Sequence, residues 1–350
     1  NNFAIIQAED ELAAIGMAIG GGFNGARSFT ATSGPGISLM AEFLGLAYFA
    51  EIPVVLMNIQ RAGPSTGMPT RTQQSDILAC AYASHGDTKH ILLFPDSPAE
   101  CFEHSALAFD LADRLQTPVI IMSDLDLGMN DHLSRPFSWN DKQKYDLGKV
   151  LSIRELDNME SYGRYRDVDG DGICYRTLAG THPNKGAFFT RGTSRNVDAV
   201  YSEKSSDYVE NMDRLSLKFK TAAKMMPEAE ISKNVSTTKI ALVYFGTSAQ
   251  AIKETKFMLQ ELGIPVDTMR IKAFPFGCEV KSFIDEHETV FVIEQNRDAQ
   301  MRSLLCNELS ITPTKLNSVL CFDGLSISAK QICDDVYSVV GQQVADQEVV

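Results

Sequence analysis

Ile52-Pro53-Val54-Val55-Leu56-Met57-Asn58-Ile59 is an apolar run of strand length, followed directly by Gln60-Arg61-Ala62-Gly63-Pro64-Ser65-Thr66-Gly67-Met68-Pro69-Thr70-Arg71-Thr72. A continuous apolar run reads as a parallel strand buried on both faces. The loop at the carboxyl end of such a strand is where open α/β sheets place their ligands. This loop carries an arginine, several hydroxyls, and Gly and Pro residues that impose an unusual backbone path. The planar fork of Arg61 suits two-point binding of a carboxylate. The loop alone therefore predicts a pocket for a small carboxylic acid.

Outward from this strand, residues 3–123 alternate between strand and helix patterns. Strands are expected at Phe3–Gln7, Ser28–Thr32, Ile52–Ile59, Ile91–Phe94 and Pro118–Ser123. Helices are expected at Glu9–Gly20, Ile37–Ala50, Gln73–Ala83 and Pro98–Leu115. From Leu125 to about Thr237 the alternation fades into polar, turn-rich sequence with one helix at Asp207–Met225. A segment of that length without regular structure is usually functional or covers an interface. A second α/β unit starts at Lys239, with strands at Ile240–Phe245, Val266–Ile271, Val290–Ile293 and Ser318–Phe322. Its helices are expected at Ser248–Leu262, Met301–Leu309 and Ala329–Val340. The expected organisation is an α/β unit over residues 1–130, an irregular connection over 131–236 and a second α/β unit over 237–350.

The chain has 350 residues, 44% hydrophobic and 22% charged, with a formal charge of −13. That balance argues against nucleic acid or an anionic membrane as the main partner. No apolar run approaches the ~18–20 residues that span a bilayer. The seven cysteines form no C-x-x-C pair and no zinc or iron–sulfur spacing, which suits buried thiols in a reducing, cytoplasmic setting. The sequence begins at Asn1 without Met or a signal-like segment, so a fragment or processed form is expected.

Gly20-Gly21-Gly22-Phe23-Asn24-Gly25 formally matches G-x-G-x-x-G but ends a helix instead of opening one, so it reads as a helix terminus. Gly170-Asp171-Gly172, with Asn196 downstream, imitates a metal–diphosphate motif, but a polar segment precedes it in place of a buried strand. Asp167, Asp169 and Asp171 have the spacing of a calcium loop, yet the twelfth position is Leu178. A solvated acidic turn and a weak cation site are the two readings. His85 stands without a nucleophile at recognisable spacing. Glu9, Asp10 and Glu11 open the first helix, where acids complement the dipole; alternatively one carboxyl points into the crevice. Thr32-Ser33-Gly34-Pro35-Gly36 is a second crevice loop, whose small residues let a flat ligand approach the backbone.

Together, Ile6-Gln7-Ala8-Glu9-Asp10-Glu11, Thr30-Ala31-Thr32-Ser33-Gly34-Pro35-Gly36 and the loop from Gln60 to Thr70 resemble the α subunit of 2-oxoacid:ferredoxin oxidoreductases, in particular the 2-oxoglutarate type. The resemblance implies a doubly wound thiamine-diphosphate (pyrimidine-type) domain followed by a transketolase-C-like α/β domain. It implies that Glu9 is the glutamate on the aminopyrimidine N1′, assisting removal of the C2 proton, with Ser33 and Gly34 beside the cofactor. It implies that Arg61 holds the substrate's C1 carboxylate, with Ser65, Thr66 and Thr70 near the 2-oxoacid side chain. The partners implied are a β subunit, ferredoxin, the 2-oxoacid and coenzyme A. Mg²⁺ and a [4Fe–4S] cluster are expected in the β subunit, with no metal in this chain. A Tyr-Pro-Ile-Thr-Pro segment of the family and the γ domain fused ahead of it in many bacteria have no counterpart here. The same chemistry on pyruvate or branched-chain 2-oxoacids, and a non-catalytic assembly scaffold, are the alternatives.

Overall fold

The computed structural model describes residues 3–234 and 238–348. In its first half, α1 (Glu11–Phe23), β1 (Phe29–Thr32), α2 (Gly34–Ala50), β2 (Val54–Gln60), α3 (Ile77–Ala81), β3 (Ile91–Leu93), α4 (Pro98–Leu115) and β4 (Pro118–Asp124) follow one another. Next come α5 (Leu125–Met129), α6 (Ile153–Asn158), α7 (Ser205–Ala223) and β5 (Glu230–Ser232). The remainder is β6 (Ile240–Phe245), α8 (Ala249–Glu261), β7 (Asp267–Ile271), β8 (Ala273–Phe274), α9 (Cys278–Glu286), β9 (Thr289–Glu294), α10 (Gln300–Leu309), β10 (Leu316–Leu320) and α11 (Ala329–Glu348).

Two sheets result, in the orders β1-β2-β4-β3-β8 and β10-β9-β6-β7-β5. Each is parallel apart from one antiparallel edge strand, β8 in the first and β5 in the second. The apolar run from Val54 is the strand expected of it: β2 lies between β1 and β4, with Leu56 opposite Ile120 and Gln60 opposite Asp124.

β8 comes from the second unit yet pairs with β3, Leu92 opposite Phe274. One hydrophobic core accordingly serves both units. Leu56, Leu92, Phe94 and Ile120 of the first sheet share it with Val243, Phe245, Ile271 and Val292 of the second. α2, α3, α9 and α10 add Met40, Leu44, Ile77, Phe283 and Leu304.

Several expectations are corrected. Phe3–Gln7 forms no strand, and Phe3 and Ile5 are 84% and 89% exposed; apolar alternation without a neighbouring strand gives no ladder. The helix expected at Gln73–Ala83 is confined to Ile77–Ala81. Gln73 to Asp76 stay outside it because their backbone is tied to the second unit, Gln74 N–H donating to Gln295 O at 2.8 Å. The short strands β5 and β8 and the helix α9 lacked a sequence signal.

The polar segment after residue 130 is held down by buried charge. Glu51, at the C-cap of α2 with φ 59°, receives both ends of the Arg214 guanidinium at 2.6 and 2.9 Å and Lys218 Nζ at 2.9 Å. Arg164 donates to Glu51 O at 3.1 Å, and Arg195 donates to Phe49 O. The Tyr165 ring lies beneath Arg195, Arg164 and Arg214, with Arg195 at 3.8 Å from its centroid, a placement that offsets part of the cost of burying cations.

The acidic turn has the same structural character. Lys149 Nζ sits 2.6 Å from Asp169 and 2.8 Å from Asp171, and Asp167 accepts from Gly170 N and Gly172 N. Gly172 packs so closely on α7 that a Cβ would overlap Lys218 N and Arg214 O. These residues form a packing contact in which one internal ammonium pairs two of the three carboxylates.

Burial pushes the Glu51 carboxyl up, but the charges of Arg214 and Lys218 outweigh it and hold the group well below the usual carboxylate range. Its stabilising contribution is therefore complete above the unfolded carboxylate pKa, near about 4.3, and is lost as pH falls through the lower folded value. Glu51→Gln leaves buried cations unpaired and should cost about 3–5 kcal/mol. Urea unfolding from pH 7 downward checks this: the wild type should lose stability on acidification more steeply than the variant.

Candidate active site

Segments that follow the carboxyl ends of β1, β2, β9 and β10 surround one cleft of about 540 Å³. Its wall on the first unit is the start of α2 (Gly34, Pro35, Ser38) together with Arg61 to Ser65, Met68, Gln73, Ser75 and Asp76. Asn296, Arg297, Asp298, Gln300 and Phe322 come from the second unit.

The loop after β2 folds on its own main chain. Ala62 N donates to Arg71 O at 2.8 Å, Met68 N to Ala62 O at 2.9 Å and Arg71 N to Met68 O at 3.0 Å. Gly67 has φ 50°, and a Cβ there would overlap the Ala62 carbonyl oxygen. Gly63 N donates to Gln73 Oε1 at 3.0 Å, closing the base of the loop. Arg61, at its start, forms no ion pair among the described residues, and its Nε is buried without a hydrogen-bond partner. A buried guanidinium N–H left without a partner is costly, so the side chain is prepared for an anionic ligand.

Ser33 is the N-cap of α2 in extended conformation, but its side chain makes no capping hydrogen bond. The hydroxyl is thus available to a ligand beside the positive end of a 17-residue helix. Asp10, by contrast, caps α1 by accepting from Ala13 N at 2.7 Å, which meets the dipole reading of that acidic run. Glu9 precedes it and is exposed.

Among the residues singled out from the sequence, Gly34, Arg61 and Ser65 share the cleft lining; Glu9, Ser33, Thr66 and Thr70 are not part of it. Thr66 and Thr70 are exposed on the outer limb of the loop. The desolvated pocket expected around Glu9 is not built by this chain alone. Ser84 Oγ is the hydrogen-bond partner of His85, which is not part of the cleft lining. Among the described residues, no group of three His, Cys, Asp or Glu side chains could hold a metal ion.

Sequence reasoning missed Asp76 and the loop Gln295–Gln300. Asp76 accepts from Asn58 Nδ2 at 3.1 Å, and its carboxyl lies against Gly34. Burial raises its pKa against the pull of the Asn58 hydrogen bond and the Arg61 charge. Asn58 was the one visible signal: a polar residue inside an apolar strand needs a buried partner.

Behind the cleft, a buried polar seam joins the two sheets. Thr247 Oγ1 donates to Asp124 Oδ2 at 2.6 Å, and Gln74 Nε2 donates to the same carboxylate oxygen at 3.2 Å. Gln295 Nε2 donates to Thr247 Oγ1 at 2.9 Å. Gln300 Nε2 donates to Ser75 O at 2.6 Å and Asn296 Nδ2 to Gln74 O at 3.0 Å.

Residues 1–134 match the family model described as pyruvate flavodoxin/ferredoxin oxidoreductase, thiamine diphosphate-binding. The 2-oxoglutarate synthase subunit KorA of Methanothermobacter thermautotrophicus is 46% identical over 298 residues, 83% of this chain and 75% of that protein. The α subunit of 2-oxoacid:ferredoxin oxidoreductase 2 of Aeropyrum pernix is 36% identical over 89% of this chain and 48% of its own length. The chain thus spans about half the length of that and similar archaeal relatives. Among solved structures, 2-oxoglutarate:ferredoxin oxidoreductase from Magnetococcus marinus, with 2-oxoglutarate, coenzyme A and succinyl-CoA bound, superimposes with a TM-score of 0.85 at 26% identity. That superposition covers 95% of this chain and 56% of the other. A split-gene transketolase at 12% identity shares the fold, with a TM-score of 0.50 over 94% of this chain and 80% of the other.

The loop geometry makes a direct prediction. Gly67→Ala places a methyl group at positive φ against a backbone oxygen, and should cost at least about 1 kcal/mol. Gly20→Ala, with open space around the new Cβ, should be neutral or stabilising. Denaturant midpoints, together with limited proteolysis at residues 63–71, check both.

Proposed function

The chain belongs to the family of 2-oxoacid:ferredoxin oxidoreductase α subunits, and we propose that it converts 2-oxoglutarate, coenzyme A and oxidised ferredoxin to succinyl-CoA, carbon dioxide and reduced ferredoxin when paired with a β subunit. The observation that carries the proposal is Arg61, with an unpartnered buried Nε and no carboxylate of its own, at the carboxyl end of a central parallel strand. The choice of 2-oxoglutarate rests on the names of the KorA relatives. In this reading residues 1–130 bind the aminopyrimidine half of the cofactor, 131–236 connect, and 237–350 form the transketolase-C-like unit.

Thiamine diphosphate, when bound, supplies an electron sink for the carbanion left by loss of carbon dioxide. The residues present fit that group: a helix N-terminus with a Ser33 hydroxyl that makes no capping bond, Gly34 without a side chain, and an exposed Glu9 carboxyl. Glu9 would hold a proton at the pyrimidine ring nitrogen, in a pocket that a partner surface dries and whose dryness raises the carboxyl's proton affinity. Arg61 would orient the substrate by its C1 carboxylate, and Ser65, Thr66 and Thr70 would contact the rest of the 2-oxoacid. Magnesium and the [4Fe–4S] cluster belong to the β subunit in this reading. The seven free thiols suit a cytoplasmic setting, and among the described residues no helix is long and apolar enough to cross a membrane.

The test uses the full-length chain co-expressed with its β subunit. Glu9→Ala should abolish exchange of the thiamine C2 proton while the complex still assembles; unchanged exchange would remove Glu9 from the mechanism. Arg61→Ala should raise KM for the 2-oxoacid by about a hundredfold, as expected for loss of a buried charged contact, with cofactor binding intact.

A further inference from the structure

We propose that Arg297 is a second anion-binding residue of the same cleft, holding an anionic group that lies beyond the carboxylate resting on Arg61. The inference builds on the site reading above and adds a residue to it from the second α/β unit.

Arg61 and Arg297 line one cavity of about 540 Å³, more than a single small carboxylate fills and within the usual range of about 300–1,000 Å³ for ligand pockets. The backbone carrying Arg297 is clamped on both sides. On one side, Asn296 Nδ2 donates to Gln74 O at 3.0 Å and to Glu294 Oε2 at 2.8 Å. On the other, Gln300 donates to Ser75 O at 2.6 Å, accepts from Leu78 N at 3.1 Å, and its own N–H donates to Asn296 Oδ1 at 3.2 Å. Ala299 between them is in the left-handed region at φ 50°. A backbone fixed this way leaves only the rotamer freedom of the side chain to be lost on binding.

The side chain itself is uncommitted to the fold. It is 71% exposed, and its partner is its neighbour Asp298, at 2.7 and 3.1 Å. An exposed pair of this kind contributes little, so Arg297 can exchange one carboxylate for another, or for a phosphate, at small cost. Asp76 is engaged by Asn58, and Asp298 by Arg297. Arg61 is then the charged group of the cleft lining without a partner. Arg61 forms no ion pair among the described residues and Arg297 holds only the exposed Asp298, so each guanidinium can take up an anion.

Such a far anion has two sources, a second carboxylate on the 2-oxoacid or the phosphates of coenzyme A. Steady-state kinetics of the complex with its β subunit separate them, using 2-oxoglutarate, the monocarboxylate 2-oxobutyrate, and coenzyme A. If the second carboxylate is bound, Arg297→Gln raises KM for 2-oxoglutarate about tenfold, one charged contact, and leaves the other two KM values within about twofold. If phosphate is bound, the KM for coenzyme A alone rises. In either case Asp298→Asn, which frees Arg297, lowers the same KM. All three KM values unchanged in Arg297→Gln, or a fall in kcat with every KM preserved, overturns the proposal. Arg61→Ala run beside it keeps the two readings apart: a raised KM for both oxoacids upholds the site whatever Arg297 does, and no change there removes the site itself.

Discussion

Two parallel sheets that each end in a crevice make a cleft only if their carboxyl ends are locked together. Here the lock is a set of buried hydrogen bonds among Gln74, Asp124, Thr247 and Gln295. Burial pushes the Asp124 carboxyl up, and the hydrogen bonds from Thr247 and Gln74 offset only part of that rise. Across the units, Thr247 bonds both Asp124 and Gln74, and Gln74 N–H donates to Gln295 O, so separating the units would strand polar groups in an apolar surround. The segment from Gln73 to Asp76 is pulled out of helix to make these contacts, and that distortion brings Ser75 and Asp76 to the cleft wall.

The back of the first sheet obeys a different economy. There the polar connecting segment is fastened by cations converging on Glu51 and Asp113: Arg214, Lys218 and Arg195 at the former, Arg27 and Arg176 at the latter. These groups shape no cavity in the cleft. They explain how a stretch with little regular structure stays ordered against an α/β sheet, and why its Gly170-Asp171-Gly172 turn serves packing against α7.

The legible features of the sequence were the local ones. Apolar runs and turn chemistry around Val54–Gln60 and Ser33–Gly36 gave strand, loop and a following helix, which starts at Gly34 and not at the expected Ile37, because those signals depend on neighbours in the chain. The crevice at the strand ends followed from topology, and Arg61 was found there. Nonlocal pairings left no such trace. β8 joins the first sheet through two residues, and Lys149 fills the acidic turn from 22 positions upstream. The Gln73–Asp76 stretch kept a helical pattern while tertiary hydrogen bonds chose otherwise, so Asp76 was overlooked. Phe3–Gln7 carried a strand pattern without a strand beside it.

The loop from Gly63 to Arg71 is exposed along its length and is held by hydrogen bonds of its own main chain, with a single side-chain tie at Gln73. Its side chains carry none of the core. Substitutions at Ser65, Thr66 or Thr70 thus leave the shared core and the seam untouched, so this is a surface on which ligand preference can drift by single mutations without passing through unfolded intermediates. A fold built this way separates what must be kept from what is free to diversify.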